Sequence, residues 1–234
     1  MQHNPTEVFE KSGRGIFWDV DGTLCDSHEL CFSSTNYVLQ NHCKPSITEE
    51  EYHEGVKFTT PRRMAWHFSG NPDDPMAETL GKEFDDLYVQ LVSAQSASLY
   101  PGINSLLQEL GAWEDPKVHL AALSNACTDY VEAVMRVHNL APLFSVQLGA
   151  DKVPKAKPAA EGLLLCCERL NLRPSDCVYV GDSPTDGQAA KNAGMQSIGV
   201  SWGSHSEAKI VPHFDVIVHN ANELRDQLRL FLSK

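Results

Sequence analysis

Two aspartates one residue apart, in Asp19-Val20-Asp21-Gly22-Thr23, follow directly on the apolar run Ile16-Phe17-Trp18. Strand side chains alternate faces, so positions 19 and 21 would share a side if the strand continued. Paired carboxylates at the end of a buried strand repel each other unless a cation or ligand compensates them. A strand ending in a turn also favours Asp and Gly, but three further groups point to the same chemistry. Ser124-Asn125 follows an apolar run at 118–123, and Lys157-Pro158 opens a helical stripe built around Leu163. Gly181-Asp182-Ser183-Pro184-Thr185-Asp186 follows an apolar run at 177–180. Together they supply a nucleophile, a proton shuttle, a neutral hydrogen-bond donor, a cation and oxygen ligands for a hard metal ion. Each also has a plainer account alone. Ser124-Asn125 reads as a strand-to-helix turn, Asp182 as a helix cap, and Lys152 and Lys155 compete with Lys157.

Elements able to position these groups alternate along the second half of the chain. Ile103, Leu106, Leu107 and Leu110 repeat at helical spacing, as do Val131, Val134 and Met135, and Ala160, Leu163, Leu164, Cys167 and Leu170. Between them, apolar runs at 118–123, 144–148, 177–180, 196–200 and 214–218 read as strands. Alternation of this kind predicts an α/β fold, with a parallel sheet covered by helices on both faces. Ligands of such sheets bind beyond the carboxyl ends of the strands, near a reversal in strand order. The aspartate motif stands at such an end. A last helix is expected from Asn220, with Glu223 completing a capping box.

Residues 26–99 break the alternation, and no strand is expected there. Ser46 with Glu49, and Asp74-Pro75, read as helix starts. Leu80, Phe84, Leu87 and Leu91 mark the face of a long helix. The expected organisation is a catalytic core of residues 1–25 and 100–234, with an all-helical insert of residues 26–99.

The net charge of -12 over 234 residues argues against non-specific binding to nucleic acid or anionic lipid. Seven irregularly spaced cysteines without C-x-x-C exclude a disulfide scaffold and point to reduced thiols in the cytoplasm. Ten histidines include no H-E-x-x-H, so no zinc-enzyme motif is present. No secretory signal is legible in residues 1–12, and the apolar stretch at 163–167 is too short to span a bilayer. Nothing in the residue pattern sets the oligomeric state.

The four ordered motifs resemble those of the haloacid dehalogenase superfamily, over nearly the whole chain from Ile16 to the C-terminal helix. The resemblance implies a Rossmann-like core with a helical cap inserted after the first strand, and Mg²⁺-dependent phosphomonoester hydrolysis through an aspartyl-phosphate. It implies that Asp19 is the nucleophile and Asp21 the general acid and base. Gly22, Ser124, Asn125 and Lys157 would hold the phosphate. Asp19, the Asp21 backbone carbonyl and Asp182 would hold the Mg²⁺, with Asp186 acting through water or by orienting the other ligands. Members that displace halide lack the second aspartate, so Asp21 favours phosphoryl transfer.

The cap implies a small phosphorylated metabolite as substrate. Within Thr59-Thr60-Pro61-Arg62-Arg63, Arg62 is the residue expected to reach its distal end, a solvated basic helix start being the alternative. Ser27 and His28 are expected at the entrance. Gly199-Val200-Ser201-Trp202-Gly203 resembles a strand and loop of phosphoglycolate phosphatases, which makes 2-phosphoglycolate the first substrate to consider; Trp202 would pack near the cap or serve as a core residue. A phosphomutase like β-phosphoglucomutase and an inactive binding domain are the competing readings.

Overall fold

The computed structural model describes residues 13–234; the segment in which a secretory signal was sought lies outside the described residues. Six parallel strands form the sheet: β1 (Arg14–Trp18), β4 (Val118–Leu123), β5 (Phe144–Leu148), β6 (Cys177–Gly181), β7 (Gln196–Val200) and β8 (Val216–Val218), in the order β5-β4-β1-β6-β7-β8. The expected strand at 214–218 begins two residues late, after a one-turn helix over Val211–His213.

β1 lies between β4 and β6, where the strand order reverses. Its residues alternate between two buried layers. Ile16 and Trp18 pack with α5 (Ile103–Gly111), α6 (Thr128–Val137) and α10 (Ala221–Leu232), whereas Phe17 packs with α7 (Glu161–Leu170) and α8 (Pro184–Ala193). Burial on both faces explains why the strands read as continuous apolar runs. Burying each large aliphatic side chain contributes about 1.5–3 kcal/mol. α10 is capped by Asn220, whose side chain accepts from the Asn222 and Glu223 amides. The expected capping box is incomplete, because the Glu223 carboxylate accepts from the His219 backbone amide and the Asn220 side-chain amide rather than from the Asn220 backbone amide.

Between β1 and α5 the chain forms α1 (His28–Asn41), α2 (Glu49–Gly55), α3 (Thr60–Ser69) and α4 (Ala77–Leu91). It leaves and returns through a ribbon absent from the sequence reading. Strand β2 (Cys25–Asp26) pairs antiparallel with β3 (Ser98–Leu99). Two-residue strands carry too little pattern to be read in advance.

Both expected helix starts are displaced. Thr48, not Ser46, caps α2 through a capping box with Glu51. Asp74 first forms a turn, its carboxylate accepting from the Met76 amide, and α4 begins at Ala77. The buried stripe of α4 is Leu80, Gly81, Phe84 and Tyr88; Leu91 is 46% exposed. Met64, Leu80, Phe84 and Tyr88 join the same buried cluster as Ile16 and Trp18. The short helix α9 (Glu207–Ile210) precedes β8.

Candidate active site

Asp19, Ser124 and Asp182 each stand just past the carboxyl end of a strand: β1, β4 and β6. These three strands are adjacent in the sheet, so residues far apart in the chain meet above its centre. The Asp19 amide donates to the Val180 carbonyl at 2.9 Å, which ties the first motif to β6. The turn after Asp19 is closed by the Gly22 amide donating to Cys25. Gly22 has φ +77°, and a side chain there would collide with the Asp182 carboxylate. Only glycine combines that backbone with that contact.

Lys157 is the buried cation of the site. Its Nζ donates to Asp19 Oδ1 at 2.6 Å, Asp186 Oδ1 at 2.7 Å, the Tyr179 hydroxyl at 2.9 Å and the Leu123 carbonyl at 3.2 Å. Burial opposes its charge, but Asp186 and Asp19 together hold its pKa above the ordinary value. The competing lysines point elsewhere: Lys152 lies by Asp151 and Lys155 by Glu161, both well exposed. Asn125 spends its side chain on the Lys157 backbone, accepting from its amide at 3.0 Å and donating to its carbonyl at 3.1 Å. The loop before α7 is thereby clasped to the end of β4.

Asp186 has two tasks. Ser183 caps α8, and the Asp186 carboxylate completes the capping box by accepting from the Ser183 amide at 3.0 Å; its other oxygen meets Lys157. Helix capping and the buried ion pair are therefore one structure. Asp182 accepts from the Ser204 amide at 2.6 Å, on the loop after β7. On the same loop Trp202 donates from its indole to the Thr23 carbonyl at 3.2 Å and packs near Tyr100, which follows β3.

Asp19, Asp182 and Asp186 bring carboxylate oxygens within 4.8 Å of one another. Three buried acids face one lysine. Burial, and then the nearby Asp186, push the Asp19 carboxyl well above its usual range, with Lys157 pulling the other way. A buried, net-negative cluster of hard oxygens fits a divalent cation such as Mg²⁺.

Asp21 turns away from that trio. Its Oδ1 accepts from Ser27 at 2.5 Å, Tyr130 at 2.6 Å and Tyr88 at 3.0 Å, and its Oδ2 from Ser124 at 3.3 Å. Burial and then Asp21 hold both tyrosines well above their ordinary pKa, so both remain phenols and donate. Tyr88 and Tyr130 stack with centroids 4.0 Å apart.

The cavity above these groups holds about 230 Å³ and extends beneath the inserted helices. Although the chain is acidic overall, Lys57, Arg63, Lys157, His28, His53 and His205 line it. Arg62 does not. Half exposed, it pairs with Asp73 at 3.1 Å outside the cavity. Its neighbour Arg63 is the buried one, donating to Cys31 Sγ at 2.8 Å and the Tyr52 hydroxyl at 3.2 Å, over the Phe84 ring. Of the two adjacent arginines, Arg63 lines the cavity and Arg62, the residue expected there, does not. The sequence reading missed Tyr88, Tyr130 and Ser204; only Tyr88 left a signal, four residues after Phe84 on one helical stripe.

The haloacid dehalogenase-like hydrolase family matches residues 16–200, and the chain belongs to that family. It is 32% identical to the phosphoglycolate phosphatase of Escherichia coli over 238 aligned positions, covering 93% of both chains. The corresponding protein of Salmonella choleraesuis gives the same identity and coverage. Among solved structures, CbbY from Rhodobacter sphaeroides in complex with phosphate superposes with a TM-score of 0.78 at 25% identity, covering 91% of this chain and 96% of that one. No helix among the described residues is long and apolar enough to cross a membrane.

Proposed function

We propose that the chain is a Mg²⁺-dependent phosphomonoesterase acting on a small phosphorylated metabolite, with 2-phosphoglycolate the first candidate. The observation that carries this reading is the buried set of Asp19, Lys157, Asp182 and Asp186, with Asp21 held apart from it.

The division of labour follows from that separation. Asp19 attacks phosphorus, forming an aspartyl-phosphate as the bond to the leaving oxygen breaks. Asp21 gives its proton to the leaving alcohol. It then takes a proton from the water that attacks the acyl-phosphate, which frees Asp19 and inorganic phosphate. Lys157, Ser124 and the backbone amides near Gly22 and Asn125 hold the phosphate oxygens. Arg63, on the insert side of the cavity, replaces Arg62 as the group meeting a distal carboxylate, for which a guanidinium is suited. Asp19 and Asp182, with Asp186 beside them, would hold the Mg²⁺, which offsets repulsion between nucleophile and phosphate and the charge growing on the transferring group.

The roofed 230 Å³ cavity favours a metabolite over a polymer. Names of relatives support phosphoglycolate as the first substrate to test. Seven free cysteines accord with a cytoplasmic setting. The deciding assay is phosphate release from a panel of phosphorylated metabolites in Mg²⁺, comparing wild type with Asp19→Asn. Turnover confined to wild type is expected. Hydrolysis retained by Asp19→Asn overturns the nucleophile assignment, and no turnover of any panel member overturns the reading.

A further inference from the structure

At the rim of the cavity, on the inserted helices, lies a second cluster whose donors differ in kind from the aspartate trio. His28 opens α1, Glu49 opens α2, and His53 follows Glu49 by one helical turn. Residues four apart share a helix face, so Glu49 and His53 present their donors together. His28 Nε2 meets Glu49 Oε2 at 2.7 Å, and the His28 and His53 rings lie nearly parallel with centroids 5.4 Å apart. One donor atom from each of the three residues falls within 4.8 Å of the other two. Tyr52 packs edge-on against both imidazoles, at 5.4 and 5.9 Å, and Phe32 stacks on His28. His28 is partly buried, and Glu49 and His53 are exposed at the rim.

We propose that His28, Glu49 and His53 form a second metal site, selective for a borderline transition ion such as Zn²⁺ and distinct from the oxygen site at Asp19, Asp182 and Asp186. Two imidazoles and a carboxylate are a known zinc donor set, whereas Mg²⁺ prefers all-oxygen ligands. Donors about 2.0–2.1 Å from zinc in a tetrahedron stand about 3.4 Å apart, so modest side-chain rotations close the observed spread. A fourth position would open to the cavity, which His28 and His53 line and which His205 faces from the core side.

The test is Zn²⁺ titration of the full chain against a chromophoric chelator, with saturating Mg²⁺ present to fill the oxygen site. Glu49→Gln, His53→Ala and Asp182→Asn are compared with wild type, and Co²⁺ absorption reports the donor type. Loss of an outer hydrogen-bond partner alone weakens metal sites about 10–100-fold, so loss of a ligand should weaken Zn²⁺ binding at least about tenfold in Glu49→Gln and in His53→Ala. Asp182→Asn should bind as wild type does. Thermal unfolding without metal shows that each variant is folded, and added Zn²⁺ should raise the midpoints of wild type and Asp182→Asn but those of Glu49→Gln and His53→Ala much less. The proposal fails if both ligand variants bind as tightly as wild type, if Asp182→Asn is the variant that loses binding, or if the Co²⁺ spectrum shows thiolate charge transfer from a cysteine site. The readout is binding, so the result stands whatever substrate the enzyme hydrolyses.

Discussion

The Tyr88 hydroxyl donates to Asp21 Oδ1 at 3.0 Å across 67 residues of chain, joining an inserted helix directly to the aspartate motif. Tyr130 makes the corresponding bond from the core side at 2.6 Å, and the two rings stack. The Asp21 carboxylate is thus oriented from both halves of the molecule. Tyr88→Phe keeps the stacked ring and removes one donor. A hydrogen bond to a charged group is worth about 1.5–3 kcal/mol, which corresponds to a fall in kcat of about ten- to a hundredfold if Tyr88 positions Asp21 for proton transfer. KM should change little. A raised KM with unchanged kcat would instead make Tyr88 a substrate contact.

The two adjacent arginines should behave oppositely. Arg62 makes an exposed pair with Asp73, of a type worth about 0–1 kcal/mol. Arg62→Ala should leave KM within about twofold of wild type, since such a pair is energetically slight. Arg63→Met keeps much of the packing over Phe84 and removes the charge. KM should rise at least about tenfold for an anionic substrate, the loss of one charge-assisted hydrogen bond. Steady-state kinetics on the two variants decides between them, and equal effects would void the assignment of Arg63.

Magnesium should stabilise the fold as well as permit turnover. Three buried carboxylates against Lys157 leave an uncompensated negative site, which a bound cation relieves. At a hundred times its Kd, a single-site ligand adds about 2.7 kcal/mol, or about 5–10 °C in Tm for a chain of this size. Chelation should reverse the shift and stop phosphate release. Asp182→Asn should lose most of the shift. Calorimetry with and without Mg²⁺ is the check; a midpoint indifferent to Mg²⁺ in wild type would contradict cation binding at the trio.

His67 should make the inserted helices acid-sensitive. It stacks on Tyr52, its Nε2 is buried without a hydrogen-bond partner, and burial followed by Arg63 depresses its pKa from 6.5 to about 4. A histidine kept neutral in the fold contributes stability that is fully present above pH 6.5. That contribution is lost as pH falls toward about 4, because the unfolded chain takes up the proton first. The full shift would correspond to about 3 kcal/mol, and partial solvent access reduces this to about 1–2 kcal/mol. Denaturant unfolding at pH 7 and pH 4.5 should show that His67→Phe loses less stability than wild type over this interval by that amount. Parallel pH dependences in the two proteins would contradict it.

Much of this architecture is written locally. Strands buried on both faces must be continuous apolar runs, so β1, β4, β6 and β7 could be placed from composition alone. Asp19, Ser124 and Asp182 follow from where those runs stop. Four helices between β1 and α5 were legible as a segment without strand pattern, whereas the ribbon of β2 and β3 was too short to announce itself.

What remained open turned on which of several similar neighbours faces inward. Successive helical residues are rotated by about 100°, so one position of phase carries a side chain from cavity to solvent. That rotation separates Arg63 from Arg62 and Tyr88 from Leu87. Lys152, Lys155 and Lys157 share one loop and one chemistry, and Lys157 alone is turned inward, by Asn125 clasping its backbone. The amino-acid order by itself determined which chemistry-bearing side chains stand at the strand ends. Packing of α3 against α4, and of α4 against α6, decided which arginine and which aromatic line the cavity, because that choice depends on contacts between segments and leaves no periodic trace within either one.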